Sequence, residues 1–444
     1  MRIQPAPEIN NPTFLAWLAG PGATALPALL RDAQAQRAYH PWRKVRHTAP
    51  DGLPPEVWWS ILCLARQPTV VDPTLVGVGG QPFLLSMTDE IRRLLHEIDR
   101  QSPLAVNLGG TNGRDDLSDL RRTYLQRERI DEAISSSQME GAATTRRVAQ
   151  EMLLDDRPPR DDGERMIANN YATIRHLDAW CREPLSADLL AAIHRTLTDG
   201  LLPESAQGRY RTTDDVTVRD RDDEVVHQPP PAADLPARMA ALIAFANQDA
   251  EARVPFLHPV LKAILLHTLL AYEHPFQDGN GRTARALFYW SLLRDGYWVA
   301  PYVSISRMLR KERAAYDEAY LDMETCHLDA TYCVLVNLRV FVRGLRDLHA
   351  YIEGKSAQTR CWRDTLQGQF NTRQLDLLEH TLRHPDYHYT FQEHQRWHAI
   401  SPNTARADLE DLESRGFLKR HKVGRLRYYT VTDLFTTLAA HLLT

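Results

Sequence analysis

The sequence predicts a mostly α-helical protein with one small β-hairpin and a separate, smaller C-terminal domain. Apolar residues recur at helical spacing between residues 164 and 348, where long strand patterns are absent. One valine-rich segment, residues 208–232, interrupts these helices. After residue 355 the pattern changes to three short helices and a basic hairpin.

Size and composition limit the organisation further. A chain of 444 residues exceeds what one hydrophobic core usually serves, so we expect an N-terminal helical region (1–119), a helical core (120–350) and a C-terminal domain (371–444). The 57 acidic and 53 basic residues nearly balance, which excludes a global attraction to nucleic acid or anionic membranes. The five cysteines are odd in number and form no C-x-x-C pair. They favour a reducing compartment, and we expect a soluble, cytoplasmic protein without a membrane partner.

The helices are predicted in chain order from periodicity and turn signals. A helix is expected from Pro54 to Arg66, a β-like run from Thr74 to Ser86, and a helix start at Asp89. A loop is expected at 109–119, followed by a helix from Leu120 that ends at a glycine. Further helices are predicted at 165–181, 187–198, 234–249, 258–273, 281–295, 308–321 and 330–348.

The valine-rich segment has the pattern of an exposed hairpin. Apolar residues flank a polar tip at 219–224, and three prolines follow. The flanking residues are Val216, Val218, Val225 and Val226.

A glycine-bearing loop at 278–281 leads directly into a predicted helix. Free backbone N–H groups and the positive end of the helix dipole make such a junction a phosphate site. Gly279, Asn280 and Gly281 form the loop, and Arg282 and Arg285 lie on one face of the helix's first turns. Cations are unfavourable at a helix N-terminus unless they bind an anion, so a polyphosphate ligand is indicated.

Two further side chains beside this loop suggest chemistry. Asp278 offers a hard oxygen ligand, which suits a Mg²⁺ ion that bridges phosphates. His274 can be neutral at pH 7 and accept a proton from a hydroxyl group, which makes it the candidate general base.

The segment HPFQDGNGRTAR (274–285) resembles the signature H-x-F-x-[D/E]-G-N-G-R-x-x-R of the Fic family at every specified position. The resemblance implies a Fic-fold helical bundle that transfers AMP from ATP to a protein hydroxyl. The protein itself is one of the candidate targets. By that resemblance His274 is the base and Asp278 holds Mg²⁺. The ATP phosphates are then held by Gly279, Asn280, Gly281, Arg282 and Arg285.

Upstream, ISSSQMEGA resembles the family's inhibitory motif [S/T]-x-x-x-E-[G/N], with Ser136, Glu140 and Gly141 at its specified positions. Its place before the core is that of the N-terminally inhibited class. A carboxylate paired with Arg285 would keep that arginine from the γ-phosphate. The resemblance also makes the hairpin a flap that docks the target backbone.

The nucleotide base and the direction of the reaction stay open. Tyr316 is the candidate for the adenine pocket, although the stretch around it lacks the asparagine that family members often carry. Relatives that transfer UMP, phosphate or phosphocholine keep other donors open. Removal of AMP by the same site is an alternative function.

The C-terminal residues 371–432 resemble a winged helix-turn-helix domain. Thr404 and Arg406 lie near the start of the recognition-helix candidate, and Lys419, Arg420, Lys422, Arg425 and Arg427 form a basic wing. DNA is therefore a candidate partner, and a nucleotide-sensing DNA-binding regulator is the other alternative function. The sequence leaves open whether the chain forms a homodimer.

Overall fold

The computed structural model describes residues 4–36, 38–106, 116–219, 222–250, 252–366, 368–383, 387–423, 426–433 and 435. The chain divides into two compact units. The larger comprises Met1–Gly113 and Leu117–Arg346, and the smaller comprises Arg114–Asp116 and Asp347–Thr444.

The N-terminal part of the larger unit is helical around an aromatic core. Its elements are α1 (Pro12–Trp17), α2 (Ala23–Gln34), α3 (Trp42–Val45), α4 (Pro55–Arg66), β1 (Thr69–Val70), β2 (Leu84–Leu85) and α5 (Asp89–Val106). The side chain of Asn11 caps α1 by accepting a hydrogen bond from the Phe14 amide, at 2.9 Å. Phe14, Trp42 and Trp59 are buried in one hydrophobic cluster. Helix α4 and the start of α5 agree with the prediction to within one residue.

One helical stretch among the described residues, Pro12–Gln34, is long and apolar enough to cross a membrane by length and composition alone. Core helices of water-soluble proteins pass the same test. A π-helical turn at Leu18–Gly22 joins α1 to α2, and Gly20 has non-helical backbone angles there. Phe14 and Ala33, near its two ends, contribute to the cluster described above.

Ten further helices follow in the described part of the chain, and the last of them extends past the boundary of the larger unit at Arg346. They are α6 (Asp116–Met139), α7 (Arg146–Leu154), α8 (Asp162–Trp180), α9 (Ala187–Thr198), α10 (Leu235–Ala246), α11 (Pro259–Glu273), α12 (Asn280–Arg294), α13 (Ile305–Lys311), α14 (Arg313–Thr325) and α15 (Thr331–Leu366). Helices α11 and α12 are buried on nearly all sides. Helix α11 is apolar on nearly all sides, as expected of a core helix, whereas α12 also buries polar side chains, Arg282 and Arg285 among them. The loop between them is therefore held at both ends by buried helices.

The predicted mostly helical fold is confirmed, with differences in detail. The expected loop at 109–119 lies largely outside the described residues, and α6 begins at Asp116 rather than Leu120. Helix α7 was not predicted; Thr145 caps it by accepting from the Val148 amide. The single helix expected at 308–321 is two helices that meet at Glu312, a residue with non-helical backbone angles (φ −116°, ψ 32°).

The valine-rich segment forms a short antiparallel hairpin, β3 (Val218–Arg219) and β4 (Val225–His227). Val218 pairs with His227 and Arg219 with Val225, so the register shifts between the two pairs. Val216 precedes β3, and tip residues 220 and 221 lie outside the described residues.

The smaller unit has the element order expected from its sequence. Helices α16 (Thr372–Arg383), α17 (Phe391–His398) and α18 (Pro402–Ser414) precede an antiparallel hairpin of β5 (Leu418–Val423) and β6 (Leu426–Val431). Tyr389 pairs with Tyr429 through two backbone hydrogen bonds of 2.9 and 2.8 Å, which adds a bridge beside β6. Arg425, part of the predicted wing, lies outside the described residues.

Candidate active site

His274 lies at the C-terminal end of α11, where the chain leaves the helix. Its backbone is left-handed (φ 45°, ψ 55°), a conformation that is uncommon for residues other than glycine. Its Nδ1 lies 3.3 Å from the carbonyl oxygen of Ala271. Because a carbonyl only accepts hydrogen bonds, the neutral ring carries its proton on Nδ1. The lone pair that can accept a proton is therefore on Nε2.

Burial lowers the pKa of His274 from its ordinary value to about 4. Taking the imidazole out of water disfavours its charged form, and neighbouring groups change this only in part. The ring is consequently neutral at pH 7, as a general base requires.

The loop after His274 is held by its own side chains. Asn280 accepts a hydrogen bond from the Phe276 amide at 2.9 Å and donates to the Phe276 carbonyl at 2.8 Å. The side-chain amide that was expected at the phosphate therefore shapes the loop, and the backbone N–H of Asn280 remains at the helix N-terminus. Phe276 is fully buried and stacks on His194, which anchors the loop in the core.

His194, on α9, fixes the middle of the same loop. Its Nδ1 accepts from the Gly208 amide at 2.8 Å, so its Nε2 carries the proton and donates to the Asp278 carbonyl, also at 2.8 Å. Burial lowers the pKa of His194 to about 4, so the ring stays neutral with this tautomer. Sequence reasoning did not identify His194, because a lone histidine on an apolar helix gives no functional signal.

The glycine loop leads directly into the N-terminus of α12, as the sequence predicts for a phosphate site. Gly279 is the N-cap residue and is left-handed (φ 81°), which favours glycine. Arg282 is fully buried; it donates to the Leu197 carbonyl at 3.1 Å and contacts Asp278 Oδ2 at 3.2 Å. Its Nε has no hydrogen-bond partner among the described residues. A buried guanidinium with unused hydrogen-bonding capacity is suited to an anionic ligand.

Arg285 is bound to the end of α6. Its Nε donates to Ser136 Oγ at 2.8 Å, and its Nη2 contacts the Ser136 carbonyl at 3.1 Å and Glu140 Oε1 at 2.8 Å. Burial by itself would raise the pKa of Glu140, but the adjacent Arg285 guanidinium holds that pKa below its ordinary value. The expected pairing of Glu140 with Arg285 is thus present in the structure.

The Glu140 carboxylate also lies directly against the glycine loop at 278–281, hereafter the anion loop. A Cβ atom built on Gly281 would be 2.2 Å from Glu140 Oε1. Gly141 follows with a left-handed backbone (φ 99°) and closes the end of α6. The carboxylate therefore occupies space beside the loop that a bound phosphate would approach.

The stem of the hairpin is tied to the segment that carries His274. Arg211, which is buried, donates from Nε to the His274 carbonyl at 3.1 Å and from its amide to the Pro275 carbonyl at 2.8 Å. Its Nη atoms donate to the carbonyls of Thr213 and Pro230, on the two sides of the hairpin. Sequence reasoning missed Arg211, because its contacts join segments that are distant in the chain.

His227, at the end of β4, makes a second tie. Its Nε2 lies 2.7 Å from the Tyr272 carbonyl and its Nδ1 lies 2.7 Å from Glu324 Oε1. The hairpin stem is thus fixed, while Val225 is 47% exposed and available for contact.

Tyr316, the adenine-pocket candidate, lies on α14 and is 8% exposed. Its hydroxyl is 2.9 Å from His267 Nε2 and 3.2 Å from the Tyr320 hydroxyl. Burial raises its pKa to about 12. The hydroxyl is therefore engaged inside the protein, and a role in base binding would use the ring. That role stays a prediction.

Comparison with known proteins finds similarity over the segment that carries the candidate site. Residues 184–292 match the sequence profile of the Fic/DOC family. The protein adenylyltransferase Fic of Nematostella vectensis is 40% identical over 116 residues, which are 26% of this chain and 24% of that protein. The protein of the same name from Drosophila erecta is 42% identical over 71 residues, 16% of this chain and 14% of that protein. The chain therefore spans about a quarter or less of the curated relatives it matches.

Two solved structures share the fold. A Fic family protein from Desulfovibrio desulfuricans superposes with a TM-score of 0.54 at 20% identity, covering 78% of this chain and 97% of that one. Fic-1 from C. elegans gives a TM-score of 0.50 at 17% identity, covering 78% and 90%. At these identities the likeness concerns the fold.

Proposed function

We propose that the segment matching the Fic/DOC family, residues 184–292, belongs to a domain that transfers AMP from ATP to a hydroxyl side chain of a protein, with this chain itself among the candidate targets. One observation carries the proposal. A half-buried neutral histidine, with its acceptor lone pair on Nε2, lies four residues before a glycine loop and a helix start that also hold two buried arginines.

The reaction that fits this arrangement is an in-line displacement at the α-phosphate of ATP. The target hydroxyl oxygen forms a bond to the α-phosphorus while the bond to the β-phosphate oxygen breaks, and pyrophosphate leaves. His274 Nε2 takes the hydroxyl proton. The backbone N–H groups of residues 279–281, with Arg282 and Arg285, offset the phosphate charge.

Mg²⁺ is the metal ion that we propose for this site. The Asp278 side chain is 58% exposed beside the loop. Among the described residues, its Oδ2 is contacted by the Arg282 guanidinium at 3.2 Å. Mg²⁺ typically takes one or two carboxylates and completes its shell with waters and substrate phosphates, so a single carboxylate fits. No cluster of three or more acidic, histidine or cysteine side chains that could hold a metal occurs in the described ranges. When bound, the ion would neutralise phosphate charge.

Auto-inhibition by Glu140 is part of the proposal. Ser136 and Glu140 occupy the guanidinium of Arg285, which the γ-phosphate would otherwise use. A hydrogen bond to a charged group contributes about 1.5–3 kcal/mol. Since about 1.4 kcal/mol is a factor of ten, the contact with Glu140 is sufficient to lower basal activity by one to two decades.

The hairpin is proposed as the docking site for the target. Its stem is fixed to the residues around His274 by Arg211 and His227. An extended target segment that paired with the hairpin would bring its hydroxyl toward the base. Backbone pairing of this kind selects an extended segment more than a particular sequence.

Removal of AMP is a second candidate, favoured by the position of Glu140. Its carboxylate lies against Gly281, next to the loop that would hold the phosphate. There it could orient a water molecule toward a modified side chain. Incubation with a pre-modified target, with release of AMP as the readout, separates this reaction from transfer.

We propose that the smaller unit is a winged helix with DNA as its partner. Support comes from its element order and from Lys419, Lys422 and Arg427, which are exposed on the β5–β6 hairpin. Binding of duplex DNA that weakens with salt would support this proposal and the regulator alternative.

We also propose a cytoplasmic location, which fits the four free cysteines among the described residues. A homodimer is a further proposal, and light scattering tests it.

The deciding experiment compares the transfer of label from the α-phosphate and from the γ-phosphate of ATP. Full-length Glu140→Gly protein is incubated with Mg²⁺ and cell lysate, once with α-labelled and once with γ-labelled ATP. A gain of α-label that depends on the added protein, with no matching gain of γ-label, supports AMP transfer, and His274→Ala in the same background should abolish it. Glu183→Gly, in an exposed turn, is the matched control. Absence of α-label from both lysate and the protein itself would contradict the proposal.

A further inference from the structure

The C-terminal end of α6 leaves four backbone carbonyls without helical partners, those of residues 136 to 139. The chain beyond the helix satisfies two of them. Glu140 and Ala142 donate their amides to the Ser137 carbonyl, at 3.1 and 3.0 Å, and the Gly141 amide donates to the Gln138 carbonyl at 3.3 Å. This is a Schellman turn with a left-handed Gly141, and it makes Glu140 the C-cap residue.

Arginine side chains from elsewhere in the larger unit satisfy the other two carbonyls. Arg285 contacts the Ser136 carbonyl at 3.1 Å. Arg313, the first residue of α14, donates from Nη1 to the Met139 carbonyl at 2.9 Å. The Nε of Arg313 lies 2.8 Å from both carboxylate oxygens of Asp317, one turn along α14, which orients the guanidinium. A cation at this end of a helix is also favoured by the helix dipole.

Binding of a triphosphate would change the contacts of Arg285 but not those of Arg313. Arg285 must exchange Ser136 and Glu140 for phosphate oxygens, whereas nothing requires Arg313 to leave Met139. Since Met139 directly precedes Glu140, the Arg313 contact limits how far the carboxylate can withdraw from Gly281.

We propose that Arg313 is a positioning residue that holds the C-cap of α6 in place and so keeps Glu140 over the anion loop. The inference rests on the proposed inhibition by Glu140, but not on the chemistry that the site performs. It adds a second point of attachment, on α14, to the inhibitory contact with Arg285.

The test measures ATP affinity by calorimetry on the full-length protein. Arg313→Ala should bind ATP about three- to tenfold more tightly than the unmodified chain, because one charge-assisted hydrogen bond to a partly exposed group is lost. Arg313→Lys, which keeps the charge, should give a smaller change. Asp317→Asn should shift affinity in the same direction through the orientation of Arg313. Arg147→Ala, at a side chain 85% exposed, is the control and should change nothing.

A double-mutant cycle separates positioning from a general structural effect. If Arg313 acts through Glu140, adding Arg313→Ala to Glu140→Gly leaves the ATP affinity of the single Glu140→Gly variant unchanged. An unchanged affinity in Arg313→Ala alone, or an equal gain in the presence and absence of Glu140, overturns the inference. If both single variants bind ATP more tightly and the α-label is still not transferred, the inference stands and the proposed transferase activity fails.

Discussion

The proposed role of His274 as base predicts a pH dependence of AMP transfer that differs sharply from that of an ordinary histidine, because desolvation lowers its pKa. The base must be neutral to accept a proton, and the pKa of His274 is lowered to about 4. At pH 5 about 90% of such a base is neutral, whereas about 3% would be neutral at the ordinary pKa near 6.5. The two cases therefore differ about 30-fold in active enzyme at pH 5.

The assay is the dependence of kcat/KM on pH for AMP transfer by Glu140→Gly protein, because kcat/KM reports the ionisation of the free enzyme. Activity should stay near its plateau from pH 8 down to about 5 and fall tenfold per unit below pH 4. Circular dichroism at each pH serves as the control for unfolding, and calorimetric measurement of ATP affinity at each pH accounts for protonation of the ATP phosphates. A decline with its midpoint near 6.5 while the protein stays folded would refute the assignment of a desolvated neutral base.

Three other substitutions have expected outcomes. Ser136→Ala removes the 2.8 Å contact to Arg285 Nε but leaves Glu140, so basal AMP transfer should rise about three- to tenfold, less than in Glu140→Gly; an equal rise in both would contradict the shared hold on Arg285. Arg211→Lys cannot bridge both sides of the hairpin and the His274 carbonyl at once, so kcat/KM for a protein target should fall at least tenfold while ATP affinity measured by calorimetry stays the same. Asp408→Ala strips Arg373 and His394 of a buried carboxylate, and should lower the free energy of unfolding of the C-terminal transition in urea by about 2–3 kcal/mol; an unchanged midpoint would show that the cluster is not stabilising.

The local parts of the site could be predicted from the sequence because they are contiguous. Residues 274–285 form one loop and one helix start, and the structure assembles them as the spacing indicates. The pairing of Glu140 with Arg285 spans 145 residues, and only the resemblance to a family motif suggested it. Physical reasoning from the residues then explained why the two charges would attract.

The parts that could not be predicted depend on contacts between distant segments. His194 and Arg211 hold backbone atoms of the loop from α9 and from the hairpin stem, and neither contact has a periodic or charge signature. Asn280 was assigned to phosphate binding. In the structure, the oxygen and the nitrogen of its side-chain amide both form hydrogen bonds with the backbone of Phe276. The break at Glu312 escaped detection because both flanking segments have good helix formers and no glycine or proline separates them.

The contacts that hold the hairpin stem do not depend on the side chains at the hairpin tip. Arg211 and His227 bind backbone carbonyls, and those groups are the same whatever side chains the tip carries. Substitutions at the tip can therefore accumulate without disturbing the residues around His274. We therefore expect the hairpin tip to tolerate engineering, such as an inserted epitope, that leaves the backbone around His274 in place.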